Sequence, residues 1–268
     1  MSEMIRIRNM HFEYNPDQPV LHDITLDLDA RATAIIGQNG AGKTTLVKLL
    51  KGLLQPTAGE ISVCGIRTKE ATVAGLAGRI GLVFQNPNDQ ICKRTVLEEV
   101  MFGPLNLKRS TSEAKERAMA ALDMVGLGAR REMNPHDLGL SEKKLVSIAS
   151  IVAMDTDILI LDEPTIAQDD AGKRRIGGLI EQLKRQGKLV LAILHDMDFA
   201  AALFERTVVL NRGQVLMDDE TRHVFSRPEI LREAGLDTPY ATQLGRRWGL
   251  PGTVLTAEEL IAAMFVKR

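Results

Sequence analysis

Eight consecutive residues constrain the fold of this chain more than any others. They read Gly37-Gln38-Asn39-Gly40-Ala41-Gly42-Lys43-Thr44, and they fit the phosphate-loop pattern G-x-x-x-x-G-K-[ST] at every fixed position. The apolar run at 32–36 predicts a buried strand before the loop, and residues 45–53 predict a helix that Gly52 ends. Strand, glycine-rich loop and helix in this order indicate an α/β fold that holds a nucleoside triphosphate.

The residue types of the phosphate loop (residues 37–44) suit a polyphosphate. Glycines allow backbone N–H groups to close around phosphate oxygens, and the helix N-terminus adds a favourable dipole. Lys43 is expected to reach the β- and γ-phosphates of the nucleotide, and the Thr44 hydroxyl to hold Mg²⁺. The predicted nucleotide-binding residues of this stretch are Gly37, Gln38, Asn39, Gly40, Ala41, Gly42, Lys43, Thr44 and Thr45.

Composition and charge limit the kinds of partner that this chain can bind and the compartment in which it is expected. Of the 268 residues, 44% are hydrophobic, and the formal net charge of −1 gives no electrostatic attraction to nucleic acid. Cys64 and Cys92 do not make a disulfide framework and suit a reducing compartment. No apolar run has the length of a membrane span, and the first residues lack the apolar core of a signal peptide. We expect a cytoplasmic protein that binds no nucleic acid and reaches any membrane process through a partner.

The order of the predicted elements indicates two regions. Apolar positions near the N-terminus predict an antiparallel sheet, and strands that alternate with helices after the phosphate loop predict a parallel core. A charged helical stretch at about 96–155, interrupted at Gly103-Pro104, is expected to form a helical subdomain. Composition shifts after Val215, so we expect a main domain over 1–220 and a small C-terminal extension over 221–268.

A second motif follows the strand predicted at 158–161. Four apolar residues precede Asp162 and Glu163, so both carboxylates lie where a buried strand emerges. Asp162 is placed to hold Mg²⁺, directly or through water. Glu163 is placed to orient an attacking water or to accept its proton, which predicts hydrolysis of the bound triphosphate.

The order of these motifs resembles the nucleotide-binding subunits of ATP-binding cassette transporters. The resemblance implies a P-loop NTPase core with a mixed sheet, an antiparallel β-subdomain and a helical subdomain. It implies that Tyr14 stacks on adenine, that Gln85 contacts Mg²⁺ and senses a transmembrane partner, and that His195 hydrogen-bonds the γ-phosphate. The D-loop (residues 166–169) would pack across a dimer of two cassettes. The implied catalytic residues are Glu163, His195, Gln85 and Lys43, and the implied Mg²⁺ ligands are Thr44, Gln85 and Asp162.

Several runs sharpen the resemblance to the ATPase subunits of energy-coupling factor importers, which take up vitamins and transition-metal ions. They are the glutamine loop (residues 84–91) and residues 102–107 and 195–198, and the tail around 255–260 resembles the small C-terminal extension of those subunits. The implied partners are a transmembrane scaffold subunit, a substrate-binding membrane subunit and a second cassette ATPase. The chain would then lie on the cytoplasmic face of the cell membrane and would not touch the transported solute.

One motif departs from the family pattern. The family signature, Leu-Ser-Gly-Gly-Gln, is replaced by Leu138-Gly139-Leu140-Ser141-Glu142, which we term the signature segment. The resemblance places Gly139, Ser141 and Glu142 against a nucleotide held by the opposite subunit, but Gly139 lacks the hydroxyl that contacts its γ-phosphate. The helix that follows still supplies N–H groups and a dipole, and Ser141 is a candidate cap for it.

This departure leaves two dimer arrangements open. In a heterodimer, a second ATPase supplies an intact signature, and the site built on Lys43, Asp162, Glu163 and His195 of this chain hydrolyses ATP. In a homodimer, Ser141 takes the place of the lost serine after a small backbone shift. We favour the heterodimer, because the loss of one γ-phosphate donor can lower the rate about 10²-fold.

Other functions are weighed against the importer. Soluble cassette proteins that act on DNA or the ribosome usually carry two cassettes or a basic face, whereas this chain has one cassette and a net charge of −1. A regulatory subunit that hydrolyses ATP weakly would suit the altered signature, but the presence of Lys43, Glu163 and His195 argues against it. An exporter subunit would carry the same cassette motifs.

Overall fold

The computed structural model describes residues 3–16 and 18–266 of the chain. The strands within these residues are β1 (Ile5–Glu13), β2 (Pro19–Leu28), β3 (Thr33–Ile36), β4 (Ala58–Val63), β5 (Ile66–Arg67), β6 (Ile80–Val83), β7 (Ile158–Asp162), β8 (Leu189–Ile193), β9 (Arg206–Asn211) and β10 (Gln214–Glu220). The helices are α1 (Lys43–Leu50), α2 (Val73–Leu76), α3 (Val96–Asn106), α4 (Thr111–Met124), α5 (Leu140–Val152), α6 (Asp170–Arg185), α7 (Met197–Leu203), α8 (Thr221–Ser226), α9 (Pro228–Glu233), α10 (Tyr240–Arg247) and α11 (Ala257–Val266). Short 3₁₀ turns cover Pro87–Asp89, Gly128–Arg130 and Pro135–Asp137.

Two sheets organise these elements. An antiparallel sheet has the strand order β2-β1-β4-β5, and the second sheet has the order β10-β9-β3-β8-β7-β6. In the second sheet the neighbours from β9 to β6 run parallel, and β10 pairs antiparallel with β9. Every residue of β3, β6, β7 and β8 is buried, as expected for parallel strands that are covered on both faces.

Alternate residues of the parallel strands pack on opposite faces of the sheet. Ile158 and Ile160 belong to one apolar cluster, which also contains the buried residues of the antiparallel sheet and of α1. Leu159 and Leu161 belong to another cluster, which contains most of the buried apolar residues of α3 to α6. The chain is therefore layered, with the parallel sheet between the antiparallel sheet and the helical region.

The helical region corrects one detail of the sequence prediction. The helix does not break at Gly103-Pro104, because α3 continues through both residues to Asn106. A Cβ atom at position 103 would lie 2.5 Å from Met154 Cγ, so glycine here permits the close approach of the two segments. The chain instead leaves the helix between Leu107 and Ser110, and Ser110 caps α4 by accepting a hydrogen bond from the Glu113 N–H.

The C-terminal helices pack in two ways. The buried side chains of α8 and α9, Val224, Phe225 and Leu231, belong to the same apolar cluster as α3 to α6. Beyond them, Ala241, Val254 and Leu260 form a small cluster of their own. The division of the chain at residue 220 stays a prediction. Within the described residues, no helix is long and apolar enough to cross a bilayer.

The register of the parallel sheet brings the predicted motifs to one edge. Val83 at the end of β6 pairs with Leu161, Asp162 at the end of β7 pairs with Ile193, and the neighbouring β3 ends at Ile36. The phosphate loop, the glutamine loop, Glu163 and His195 all follow these strand ends. Because the strands are parallel, the four segments meet at a common carboxyl edge, which is the usual ligand-binding edge of such sheets.

Candidate active site

The phosphate loop turns directly from β3 into α1. A Cβ atom at Gly37 would lie 2.3 Å from the backbone oxygen of Leu210, and one at Gly42 would lie 2.6 Å from Leu21 Cδ2. Gly42 also has a φ of 97°, in the left-handed region that favours glycine. Both fixed glycines of the pattern are therefore required by close packing, and the loop leaves the N-terminus of α1 facing the strand edge.

The side chain of Lys43 folds back over the phosphate loop. Its buried side chain donates hydrogen bonds from Nζ to the carbonyl oxygens of Gly37, at 2.6 Å, and Gln38, at 2.9 Å. Burial lowers the pKa of Lys43, while the nearby carboxylates of Glu163 and Asp162 oppose this effect. The ammonium group thus lies between the loop backbone and the acidic end of β7.

Asp162 carries a buried acceptor that has no partner among the described residues. Its side chain is 4% exposed and its Oδ1 atom accepts no hydrogen bond there. Burial and the repulsion from Glu163 raise the pKa of Asp162, whereas Lys144, Thr44 and Lys43 lower it. Thr44, Gln85 and Asp162 line one pocket, which offers hydroxyl, amide and carboxylate oxygens. Such oxygen ligands around a buried carboxylate with one unpaired oxygen fit Mg²⁺.

The Glu163 carboxylate contacts side chains from two neighbouring segments of the site. Gln85 Nε2 donates a hydrogen bond to Glu163 Oε2 at 3.0 Å, and His195 Nε2 lies 3.1 Å from Glu163 Oε1. The backbone of Glu163 is left-handed, with a φ of 47°, and its N–H donates to Ile193 O at 3.1 Å. Strained backbone of this kind at a non-glycine residue is concentrated at functional sites. The structure thus brings the three side chains that follow β6, β7 and β8 into one hydrogen-bonded group.

Tyr14 lies beside the phosphate loop from the antiparallel sheet. Its ring is half exposed and meets the Phe12 ring edge-on at a centroid distance of 4.9 Å, and its hydroxyl lies 3.3 Å from Thr45 Oγ1. The pocket over the loop is lined by Val20, Asn39, Gly40, Gly42, Lys43, Thr44, Thr45, Gln85 and Glu163. Val20 was not predicted, because an apolar residue in a strand carries no signal that separates pocket lining from core.

The signature segment does not line the pocket over the phosphate loop, and its structure differs from the prediction in one respect. Gly139 is the N-cap residue of α5, and no side chain caps this helix, so the assignment of Ser141 as a cap is wrong. The Ser141 hydroxyl instead donates to Gln168 Oε1 at 3.0 Å, and Gln168 Nε2 donates to Ser141 O at 3.2 Å. Glu142 pairs with Arg130 at 3.5 Å. The signature segment is thus joined to the D-loop of the same chain and not to the pocket over Lys43.

A buried lysine in α5 was also missed by the sequence analysis. Lys144 is 1% exposed, and burial lowers its pKa to about 8 against the opposing effects of Asp162 and Glu163. The sequence feature that could have predicted its burial is its spacing, because Lys144 lies four residues before Ile148 on the apolar face of the predicted helix.

Comparisons with known proteins agree with this geometry. The sequence model of the family described as ABC transporter matches residues 21–166. The chain is 37% identical to the energy-coupling factor transporter ATP-binding protein EcfA1 of Caldanaerobacter subterraneus subsp. tengcongensis, over 97% of this chain and 98% of that protein. It is 38% identical to the cobalt import ATP-binding protein CbiO of Syntrophus aciditrophicus, over 90% of this chain and 87% of that protein.

A solved structure extends the likeness to three dimensions. The cbiO1 protein of Clostridium perfringens, described as part of the ABC transporter complex cbiONQ, superposes with a TM-score of 0.78. It is 28% identical to this chain, and the alignment covers 93% of this chain and 100% of that chain. These matches confirm the predicted P-loop cassette fold and the predicted nucleotide binding. The chain belongs to the ABC transporter family, as an ATPase subunit of the energy-coupling factor kind.

Proposed function

We propose that this chain binds ATP and Mg²⁺ on its phosphate loop and hydrolyses ATP to power an importer of vitamins or transition-metal ions. The observation that carries the proposal is the Glu163 carboxylate, held between Gln85 and His195 at 3.0 and 3.1 Å beside the pocket over Lys43. The names of the EcfA1 and CbiO relatives support the importer class.

The proposed chemistry is in-line attack of water on the γ-phosphate. Glu163 acts as the general base, because its carboxylate can accept the proton of a water held in the pocket. Lys43 and the His195 ring stabilise the charge that develops on the γ-phosphate oxygens, and backbone N–H groups of the phosphate loop hold the other phosphates. Thr44, Gln85 and Asp162 would hold Mg²⁺, which supplies further charge neutralisation when bound.

A groove beside the glutamine loop is the proposed docking site for the transmembrane scaffold subunit. Its lining includes the apolar side chains of Leu82, Phe84, Phe102, Leu107 and Met154, and Phe102 is 40% exposed. An apolar groove of this kind suits a helix of a partner protein. Because Phe84 lies next to Gln85, movement of the docked subunit would reach the hydrolytic site directly. The chain would thus act at the cytoplasmic face of the membrane. It would not contact the transported solute, which the substrate-binding membrane subunit would hold.

A second cassette ATPase is the remaining proposed partner, and we favour a heterodimer over a homodimer. The signature segment contacts its own D-loop and lies outside the pocket over its own phosphate loop. Gly139 offers no side chain, and Leu140 is 48% exposed where the family signature has glycine. An ATPase with an intact signature would complete the site on this chain, whereas the signature segment would complete the opposite site weakly.

The proposal is tested by the ATPase activity of the purified chain alone and after co-expression with a transmembrane scaffold subunit, a substrate-binding membrane subunit and a second cassette ATPase. We expect activity to rise at least about tenfold only when a second ATPase with an intact signature is present. Comparable activity from the chain alone would favour the homodimer. A complex that binds ATP without hydrolysing it would overturn the proposed function.

A change of the signature segment separates the two dimers further. The triple substitution Gly139→Ser, Leu140→Gly and Ser141→Gly is expected to raise turnover at the opposite, weak site of the heterodimer by up to ~10²-fold, since it restores a γ-phosphate donor there. A Cβ atom at Gly139 meets no other atom within 4 Å, so the serine fits without repacking. The control is Ser141→Ala, which removes only the hydroxyl bonded to Gln168. Loss of activity in that control and no gain in the triple variant would contradict the heterodimer.

A further inference from the structure

One buried ammonium group touches three segments of the site. Lys144 Nζ donates hydrogen bonds to Phe84 O at 2.8 Å, Gln85 O at 3.0 Å and Asp162 O at 2.8 Å. An ammonium group has three N–H donors, so the whole donor capacity of the side chain is used on backbone carbonyls. Lys144 is also among the largest fully buried side chains of the described chain.

The three carbonyls belong to segments whose side chains form the hydrolytic site. Phe84 and Gln85 begin the glutamine loop where β6 ends, and Asp162 ends β7 immediately before Glu163. Lys144 itself lies in the first turns of α5, close behind the signature segment. A single side chain therefore connects the glutamine loop, β7 and α5, which begins within the signature segment and is termed the signature helix.

Packing alone does not require a lysine at this position. Burying an ammonium group costs free energy unless it is well paired, and an apolar side chain of similar length would fill the same space. All three carbonyls accept from Lys144, and without it the acceptor capacity that they use for these bonds would be left unpaired. The ammonium group of Lys144 thus lies where its hydrogen bonds fix the backbone positions of Gln85 and Asp162.

We propose that Lys144 is a positioning residue for ATP hydrolysis, which holds Gln85 and Asp162 in register with Glu163 and ties them to the signature helix. This inference rests on the ATP hydrolysis proposed above. The amide of Gln85 reaches Glu163, so a shift of the glutamine loop would move the partner of the general base. Displacement of such a group by about 1 Å can lower a catalytic rate about 10²-fold.

The chain offers a matched control for this inference. Lys51 is a second lysine with a buried stem, and its Nζ donates to Ile80 O at 2.5 Å, at the opposite end of β6. Burial lowers the pKa of Lys51 to about 8, as it does for Lys144. Lys51 is less buried and donates to one carbonyl where Lys144 donates to three, but only the carbonyl partners of Lys144 belong to the hydrolytic site.

The test compares Lys144→Met, Lys144→Gln and Lys51→Met in the complex co-expressed with its membrane and ATPase partners. Phosphate release gives kcat and KM for ATP, and thermal unfolding gives stability. We expect Lys144→Met to lower kcat at least about 20-fold with KM changed less than about threefold, because the residue positions groups that act after ATP has bound. Lys144→Gln retains two N–H donors and should recover part of kcat, and Lys51→Met should change only the unfolding temperature.

Each outcome decides the inference. A kcat for Lys144→Met within about twofold of that of Lys51→Met would overturn it. If the Met variant does not fold, the Gln variant decides: it lacks one of the three N–H donors, so its kcat should lie below that of Lys51→Met, and an equal kcat would refute the assignment. Absence of ATPase activity in the wild-type complex would refute the proposed function instead, so the two failures are distinguishable.

Discussion

Replacing Glu163 by glutamine is expected to lower kcat for ATP hydrolysis by about 10²–10⁴-fold while ATP binding persists. Glutamine has the same shape, and its amide oxygen can still accept the hydrogen bond from Gln85, but it cannot accept a proton from water. Phosphate release by the complex gives kcat, and titration with a fluorescent ATP analogue gives the Kd.

Glu116→Gln is the control for this substitution. Glu116 lies exposed on α4, so its neutralisation makes the same change of net charge away from the site. We expect its kcat to equal that of the wild type within experimental error. A loss of less than about threefold in Glu163→Gln would show that another group accepts the proton.

Replacing Lys43 by alanine is expected to lower kcat/KM by at least about 10³-fold. Two effects add. The substitution removes the cation that would meet the β- and γ-phosphates, and it leaves the carbonyls of Gly37 and Gln38 without the hydrogen bonds that Lys43 donates. The expected loss includes weaker ATP binding, which the same fluorescent titration measures.

Lys115→Ala serves as the control, since Lys115 is exposed on α4. Equal ATP affinity in Lys43→Ala and Lys115→Ala would mean that Lys43 does not contact the phosphates. A drop in the unfolding temperature of Lys43→Ala as large as that of a core substitution would instead assign Lys43 a structural role in the loop.

Periodicity and motif order correctly predicted the strands and the loop that position the site. The apolar runs at 158–161 and 189–194 became β7 and β8, because a strand buried on both faces requires apolar residues at every position. Gly37 and Gly42 of the phosphate loop were predictable from the motif because only glycine suits both the close packing and the backbone angles at these two positions. The ends of the elements moved by one to three residues, as at α1, which begins at Lys43 and not at 45.

Contacts between distant segments were not predictable in the same way. Lys144 meets carbonyls about sixty residues earlier in the chain, and Ser141 meets Gln168 across the gap between α5 and the D-loop. Both depend on how α5 packs on the strand ends, which no local pattern encodes. Ser141 was assigned as a cap from residue type alone, but its hydroxyl has a better partner in the folded chain.

The packing of α8 and α9 fixes how far the chain can be shortened. A fragment that ended at Glu220 would expose to water the pockets that Val224, Phe225 and Leu231 fill, each of which is fully buried. Arg246 of α10 donates to Phe225 O at 2.9 Å, so α10 rests on the layer that α8 and α9 form. A truncated cassette for biochemical work therefore needs to retain residues up to at least Leu236, whose backbone N–H closes the end of α9 on Leu231 O.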